Sequence, residues 1–582
     1  MSKLLTENIN RVWSSLIINE FINNHITHYY LSPGMRNAPL IAALVFYQKT
    51  NNNIKIFTCI DERGASYRAL GYSKATGKAC VLLCTSGTAL ANYFPAVIEA
   101  SKSNIPLIVL SADRPKEQIL SGDNQTINQQ NIFGEYVKFN LDLGVPTLEI
   151  TPRDLATSVS HLIAKAMAQE SGPVHFNCPF REPLENTIHP IPENYKIDAL
   201  NVINKSSPAT HYLRSISNLQ RADLENLAAK FSKARSGILV IGSLPPSTDL
   251  TPVKNFINTL KWPVYLDVSS SLKYEYSLED NAIPTFDHPE VLSELISHPP
   301  EIIFHIGGRL TSKHYYSYLQ SLSSTELITL NPSSDKEDPA HFTKTRINSD
   351  IIPVLSGLEN CLTATCPSNK LSLKFKNFIE QKRKIIEDGP LSYPAISKAI
   401  IETLKDDSVL YIANSTIVRS FDSYSDINSK RKFAIATNRG VSGIEGFIAS
   451  ACGFIDGVSK EVYLIIGDVS FMHDLNSLFF LKQLPINLKI ILINNYGGGI
   501  FTLLPINKEQ EVLSYITSPH SENFENIAKN FDIKYMAIKD VQKMQPALSE
   551  LVATPTHTIL EIFVDHQLNK LVYDQLRTVK LS

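Results

Sequence analysis

Two short segments near the carboxyl-terminal end of the chain carry the residue types of a divalent-cation site. GDVSFMHDLNSL begins at Gly467 and INNYGGGIF begins at Ile493. VYLIIGD reads as a buried strand ending at Asp468, and LKIILINN reads as a strand ending at Asn495. The stretch between them, HDLNSLFFLKQL, has the pattern of one amphipathic helix. A right-handed crossover then sets Asp468 and Asn495 at the carboxyl ends of two parallel strands, the edge where open α/β sheets bind ligands. One carboxylate, one side-chain amide and a nearby backbone carbonyl are oxygen donors that suit a hard cation, and Mg²⁺ commonly completes its octahedron with substrate phosphates. Gly497, Gly498 and Gly499 let the backbone approach a ligand closely, because they carry no Cβ. Either half alone reads more readily as a helix-capping aspartate or a glycine turn; the two together, at this spacing and at strand ends, favour the ion site.

The elements that must position these residues recur along the whole chain. In the first third, the apolar segment around Ile54–Ile60 precedes a helix-like stretch from Glu62 to Thr76. The strand-like Ala79–Thr85, the helical TALANYFPAVIEASKS and the strand-like Ile105–Ser111 follow. Short apolar runs alternating with helices imply parallel βαβ units. The segment NTIHPIPENYKIDALNVINKSSPATH reads as an irregular linker. GILVIGS, PVYLDVS, EIIFHIGG and ELITLNP then restart the alternation. A second irregular segment, CLTATCPSNK, precedes a charged helix at Leu371–Glu387, and SVLYIAN, KFAIATN, VYLIIGD, LKIILINN and HTILEIFV complete a third set of strands. The pattern predicts three tandem α/β domains with parallel sheets, over residues 1–185, 205–360 and 372–582.

Composition narrows the function class. A chain of 582 residues exceeds one hydrophobic core, and 43% hydrophobic with 19% charged residues is ordinary for a soluble globular protein. A net charge of −2 provides no global field for nucleic acid or an anionic membrane surface. No apolar run approaches the roughly 20 residues that cross a bilayer, and the first residues lack the pattern of a secretion signal. The seven cysteines, none in a CxxC pair, read as buried free thiols of a cytoplasmic protein.

The Asp468–Asn495 pair resembles the fingerprint of thiamine-diphosphate-dependent enzymes, a Gly-Asp-Gly followed at a distance by Asn-Asn. Here 24 residues separate Val469 from Asn494, and Val469 stands where the fingerprint has its second glycine. The resemblance implies the thiamine-diphosphate-enzyme fold, with a pyrimidine-binding first domain, a central domain, and a third domain that binds diphosphate and Mg²⁺ (or Mn²⁺) through Asp468, the Asn495 side chain and the Gly497 carbonyl. It implies that Glu62, in IDERGASYRALGYSKATG, hydrogen-bonds the aminopyrimidine ring, so that N4′ can remove the thiazolium C2 proton. General-base chemistry of this kind contributes roughly 10²–10⁴-fold. By the same resemblance Thr88 and Asn92 line the cofactor site, and Glu62 acts on cofactor held by a partner subunit, which makes the assembly a homodimer or homotetramer.

Further segments narrow the resemblance: SPGMRNAPL from Ser32, SADRP from Ser111, GDNQTINQ from Gly122, ANSTIVRSFD from Ala413, TNRGVSGIEG from Thr437, and NNYGGGIFTLLP. Together these are similar to the 2-succinyl-5-enolpyruvyl-6-hydroxy-3-cyclohexene-1-carboxylate synthases of menaquinone biosynthesis. That family decarboxylates 2-oxoglutarate and adds the succinyl fragment to isochorismate by conjugate addition. Several carboxylates must then be oriented in one cleft, which guanidinium groups do through paired charge-assisted hydrogen bonds. The resemblance gives Ser415 and Arg419 to the succinyl carboxylate, and Arg36, Arg114, Arg439 and Lys313 to isochorismate. It puts Gln125 near the reacting centre, Ile444 beneath the cofactor as a wedge, and Ile500, Phe501 and Leu504 in an apolar wall. Met35 replaces a serine hydroxyl of the family's motif, and His314 stands where an arginine is common. In the middle third, VIGSLPPSTD lacks G-x-G-x-x-G, so that domain reads as structural and not as a dinucleotide binder. The alternatives are another thiamine-dependent decarboxylase or acetolactate-synthase-like carboligase, or a non-catalytic protein on the same fold.

Overall fold

The computed structural model describes residues 8–185, 187–363, 371–425 and 430–581. Among them lie three parallel sheets. The first contains β1 (His28–Ser32), β2 (Lys55–Thr58), β3 (Val81–Cys84), β4 (Leu107–Asp113), β5 (Phe139–Asp142) and β6 (Pro173–Pro179), in the order 2-1-3-4-6-5. The second contains β7 (Gly237–Ile241), β8 (Val264–Leu266), β9 (Ile302–Ile306), β10 (Glu326–Leu330) and β11 (Thr343–Ile347), in the order 11-10-9-7-8. The third contains β12 (Ser408–Ile412), β13 (Phe433–Ala436), β14 (Val462–Gly467), β15 (Leu488–Asn494), β16 (Lys534–Ile538) and β17 (Thr558–Phe563), in the order 13-12-14-15-17-16. The first and third sheets thus share one topology, and each reverses direction beside its first strand, where a crevice opens at the carboxyl ends.

The central strands are the apolar runs of the sequence, buried on both faces as helix-covered parallel strands must be. The strands that sequence patterning leaves out are mostly edges: β5, β11 and β16 are only part-buried and mix polar with apolar residues. Two readings need correction. Residues 186–211 are not wholly irregular, because Glu193–Ile203 forms a helix whose Tyr195, Ala199 and Ile203 join the first domain's core. Trp13 Nε1 donates to the Tyr195 hydroxyl at 3.1 Å, and that hydroxyl donates to the Ile150 carbonyl at 3.0 Å. Nor is the segment after β14 one amphipathic helix. It is a short helix Asp468–His473 followed by a 3₁₀ segment Leu475–Gln483. Asp474 breaks the run because its carboxylate accepts from the Ile448 and Ala449 amides at 2.7 and 3.0 Å, capping a different helix. Most of CLTATCPSNK lies outside the described residues.

That other helix, Phe447–Val458, crosses the helix Glu62–Thr76 and joins the first and third domains into one core. The backbones meet because glycines face them: a Cβ on Gly453 would overlap the Arg68 carbonyl, and one on Gly71 would overlap the Ser450 carbonyl. Across this crossing the fully buried Arg68 guanidinium pairs with Asp456 at 2.8 Å and donates to Gln483 at 2.7 Å. Tyr30 donates to Asp456 at 3.1 Å, and the Phe57 ring covers the guanidinium at 4.4 Å. No helix among the described residues is long and apolar enough to cross a membrane.

Gly453→Ala should force the two helices apart and cost about 1–3 kcal/mol as an overpacked core does. Thermal melting reads the loss, and an unchanged transition would show that the crossing tolerates separation.

Candidate active site

The third sheet's carboxyl edge is built by register. Gly467 pairs with Ile493, so Asp468 leaves β14 almost level with Asn495 at the end of β15. Asp468 is 2% exposed, and burial raises its carboxyl above the usual range. Its Oδ2 accepts from the Asn495 and Gly497 amides at 3.1 and 2.9 Å, and its Oδ1 accepts from Val469 N–H at 2.7 Å. Val469 contributes backbone from an ordinary helical position, so glycine is not required there. The end of the Asn495 side chain lies 3.2 Å from Asp468 Oδ2 and 2.9 Å from the Gly497 carbonyl. An amide NH₂ in that position donates to both oxygens. Turned over, the amide oxygen joins a carboxylate and a carbonyl at separations close to the edges of an Mg²⁺ octahedron, roughly 3 Å for 2.1 Å ligand distances. The donor set therefore fits a hard cation. Gly497 has φ +141°, and a Cβ there would lie 2.5 Å from the Thr517 carbonyl. His520, which sequence reasoning missed, puts Nε2 3.2 Å from Asp468 Oδ2. Only folding of the 518–520 turn brings it there, and no spacing announces it.

The Ser415 loop follows β12, beside the same switch point. Ser415 has φ +69° at the start of the helix Thr416–Ser423, and its carbonyl accepts from Arg419 Nη1 at 2.6 Å. Burial, and then the charge of Arg439, lower the basicity of Arg419. Two guanidinium groups are thus held near one another, which an anion would relieve. Asn414 fixes the neighbouring turn: its Nδ2 donates to the carbonyls of Asn438 and Gly443 at 2.7 and 2.8 Å, while its Oδ1 accepts from Arg439 at 3.2 Å. Ile444 is left 39% exposed just beyond. Ile500, Phe501 and Leu504 are half-buried around the 3₁₀ turn Gly499–Leu503.

The first domain brings a second pair of arginines to its own carboxyl edge. Arg36 donates to the Phe180 carbonyl at 2.9 Å and pairs with Glu182 at 3.2 Å; burial and then Arg114 lower its basicity. Arg114 pairs with Asp123 at 3.2 Å, and its buried Nε has no hydrogen-bond partner among the described residues. Gln125, exposed with φ +54°, has its carbonyl packed on Gly87, and Thr88 and Asn92 are exposed on the following turn. Glu62 is half-buried between two tethered neighbours. Asp61 accepts from Asn476 at 3.1 Å and Arg63 donates to the His473 carbonyl at 2.6 Å, so both bind the segment just beyond Asp468. The Glu62 carboxylate makes no hydrogen bond or ion pair among the described residues.

Met35 is 62% exposed. Lys313 is exposed at the start of the helix His314–Ser321. Its loop is fastened to the Arg419 helix through Asp287, which accepts from His314 Nδ1 at 2.7 Å, from Ser312 at 2.5 Å and from Ser423 at 2.9 Å.

Three family models match the chain: the N-terminal TPP-binding domain of thiamine pyrophosphate enzymes over residues 13–132, their middle domain over 203–412, and their C-terminal TPP-binding domain over 418–562. A 2-succinyl-5-enolpyruvyl-6-hydroxy-3-cyclohexene-1-carboxylate synthase of Syntrophus aciditrophicus is 37% identical over 99% of this chain and 100% of its own length. Proteins of the same name from Chlorobium phaeobacteroides (33% identity, 95% of each chain) and Chlorobaculum tepidum (31%, covering 98% and 97%) also match. A benzoylformate decarboxylase from Polynucleobacter necessarius shares the fold, with TM-score 0.72 at 15% identity over 95% of this chain and 98% of that one.

A Cβ at residue 499 would overlap the Asn495 amide. Gly499→Ala should therefore weaken Mn²⁺ binding about tenfold or more, as loss of a supporting contact at a metal site does. Paramagnetic titration with thiamine diphosphate present measures this, and wild-type affinity would show that Asn495 is not a ligand.

Proposed function

The chain belongs to the 2-succinyl-5-enolpyruvyl-6-hydroxy-3-cyclohexene-1-carboxylate synthases, and from that premise we propose how its residues carry out the family's reaction. 2-Oxoglutarate loses CO₂, and its succinyl fragment adds to isochorismate in menaquinone biosynthesis. Thiamine diphosphate supplies the electron sink that lets a 2-oxo acid lose its carboxyl group. Asp468, Asn495 and the Gly497 carbonyl hold Mg²⁺, or Mn²⁺, against the diphosphate. Glu62 offers its uncommitted carboxyl to the aminopyrimidine of cofactor bound in a partner subunit, so the active unit is a homodimer or a homotetramer. Thr88 and Asn92 line that half of the site, and Ile444 supports the cofactor from beneath.

The observation that carries the substrate reading is the pairing of arginines, 419 with 439 and 36 with 114: burial and then the charge of Arg439 lower the basicity of Arg419, and burial and then Arg114 lower that of Arg36. Clustered, part-buried guanidinium groups are costly unless anions answer them, and the two substrates together bring several carboxylates. Ser415 and Arg419 take the distal carboxylate of 2-oxoglutarate. Arg36, Arg114, Arg439 and Lys313 receive isochorismate, Gln125 lies by the reacting carbon, and Ile500, Phe501 and Leu504 exclude water. The six cysteines described are all free thiols, which suits a reducing cytoplasm.

Labelled 2-oxoglutarate should release CO₂ and yield the coupled product only when isochorismate is added. CO₂ release from pyruvate at an equal or higher rate would refute this substrate assignment. Glu62→Gln should lower turnover by roughly 10²-fold or more while calorimetry finds thiamine diphosphate binding little changed; wild-type turnover would exclude Glu62 from proton transfer.

A further inference from the structure

The peptide that follows Arg439 is gripped by all three domains. Gly440 N–H donates to Glu99 Oε1 at 2.8 Å, and the next amide, that of Val441, donates to Glu99 Oε2 at 2.8 Å. Glu99 lies on the first-domain helix Phe94–Lys102 and is 1% exposed. The Gly440 carbonyl accepts at 2.7 Å from Nη2 of Arg309, which the middle domain extends from the loop after β9. Residue 440 must be glycine for this to happen. A Cβ there would stand 2.6 Å from Ser103 Oγ, 2.8 Å from the Glu99 carbonyl and 3.0 Å from Glu99 Oε2.

The base of the turn is held as firmly. The buried Lys74 amine donates to the Thr437 carbonyl and, at 2.8 Å, to Asn438 Oδ1, and it lies 4.0 Å from Glu99. Burial pushes this amine down to about 8 against the pull of Glu99. Tyr411 donates to Asn438 Oδ1 at 2.7 Å. The far end of the loop has separate anchors, Asn414 at the Gly443 carbonyl and Tyr67 donating to Glu445 at 3.0 Å. A carboxylate and an ammonium taken out of water carry a desolvation penalty that an apolar contact would avoid. Here both face the few residues flanking Arg439, with Ser103 also donating to Glu99 at 3.1 Å, and neither touches Asp468, Asn495 or Gly497.

We propose that Glu99, Lys74 and Arg309 are positioning residues that clamp the 437–441 turn, fixing the direction in which Arg439 presents its guanidinium to the second substrate. The middle domain thereby reaches this turn through the hydrogen bond from Arg309 to the Gly440 carbonyl, apart from its tie to the Arg419 helix through Asp287. The proposal rests on the assignment of Arg439 to isochorismate made above. The Arg439 Cα, which carries the side chain, is bonded to the carbonyl carbon of the peptide whose nitrogen belongs to Gly440, so tilting that peptide redirects the guanidinium. The anchors at Gly443 and Glu445 keep Ile444 in place meanwhile.

Steady-state kinetics of the full-length enzyme with thiamine diphosphate and Mg²⁺ test the clamp. In Glu99→Gln an amide NH₂ must face a backbone N–H, and KM for isochorismate should rise about tenfold, with a rise of roughly threefold in Arg309→Met. KM for 2-oxoglutarate and cofactor affinity should stay unchanged. Glu99→Gln combined with Arg439→Ala should be no worse than Arg439→Ala alone, because residues acting in series do not add. The clamp is overturned if neither single variant moves the isochorismate KM, if both substrates and the cofactor weaken together, or if the double variant is additive. Should Glu99→Gln not fold, Arg309→Met decides by the same split, since its side chain lies at the surface. Arg439→Ala with a wild-type KM for isochorismate would instead refute the substrate assignment, so the two failures are read separately.

Discussion

Two helices touching backbone to backbone set the geometry on which the rest of the molecule depends. Glu62–Thr76 begins at the carboxylate proposed to act on the cofactor, and Phe447–Val458 begins just after Ile444. Their crossing at Gly71 and Gly453 therefore fixes both positions in one frame. The buried Arg68–Asp456 pair at the same crossing is a poor source of net stability, because desolvation offsets its attraction. Its value is specificity. Slippage by one turn would strand a guanidinium and a carboxylate in an apolar core, a cost of several kcal/mol. Asp474 adds a third tie by capping the Phe447 helix from the segment that follows Asp468.

Electrostatics in the cleft follow one pattern in both outer domains. Each sheet's carboxyl edge presents two arginines, and each pair is seated where solvent screening is weak. Acids are present, but they are set back. Asp113, which burial raises to about 6, is occupied by Asn177 and by the Arg114 amide. Asp287 is occupied by the loop that carries Lys313. In the first domain Glu182 and Asp123 partly answer Arg36 and Arg114, so the proposed carboxylate ligands would have to share these arginines with the protein's own acids.

Much of this was legible in the sequence because parallel strands buried on both faces read as unbroken apolar runs, and the residues just beyond such runs are the ones at the ligand-binding edge. Asp468, Asn495, Ser415 and Arg114 all follow central strands of this kind. Edge strands escaped because β5, β11 and β16 have no apolar run to see. The 3₁₀ segment Leu475–Gln483 escaped because its hydrophobic spacing is that of a helix, and what breaks it is a capping bond to a distant segment. Glu99 and His520 escaped for a related reason. Glu99 falls inside an amphipathic helix where an acid is unremarked, and His520 stands alone in a polar turn; only tertiary contacts give either a meaning.

The helix Glu193–Ile203 bears on where one module ends and the next begins. Tandem repetition of βαβ patterns suggests a cut soon after β6, yet Tyr195 lies against Trp13 in the helix Ile9–Asn23, and Ala199 and Ile203 complete the same apolar core. A fragment severed before residue 193 would uncover an indole and its surroundings to water. The connector is therefore a strap, wrapping back to the amino-terminal helix before it reaches the second sheet. The stretch visible as a repeat and the stretch that fills the apolar layer around Trp13 are consequently not the same length of polypeptide.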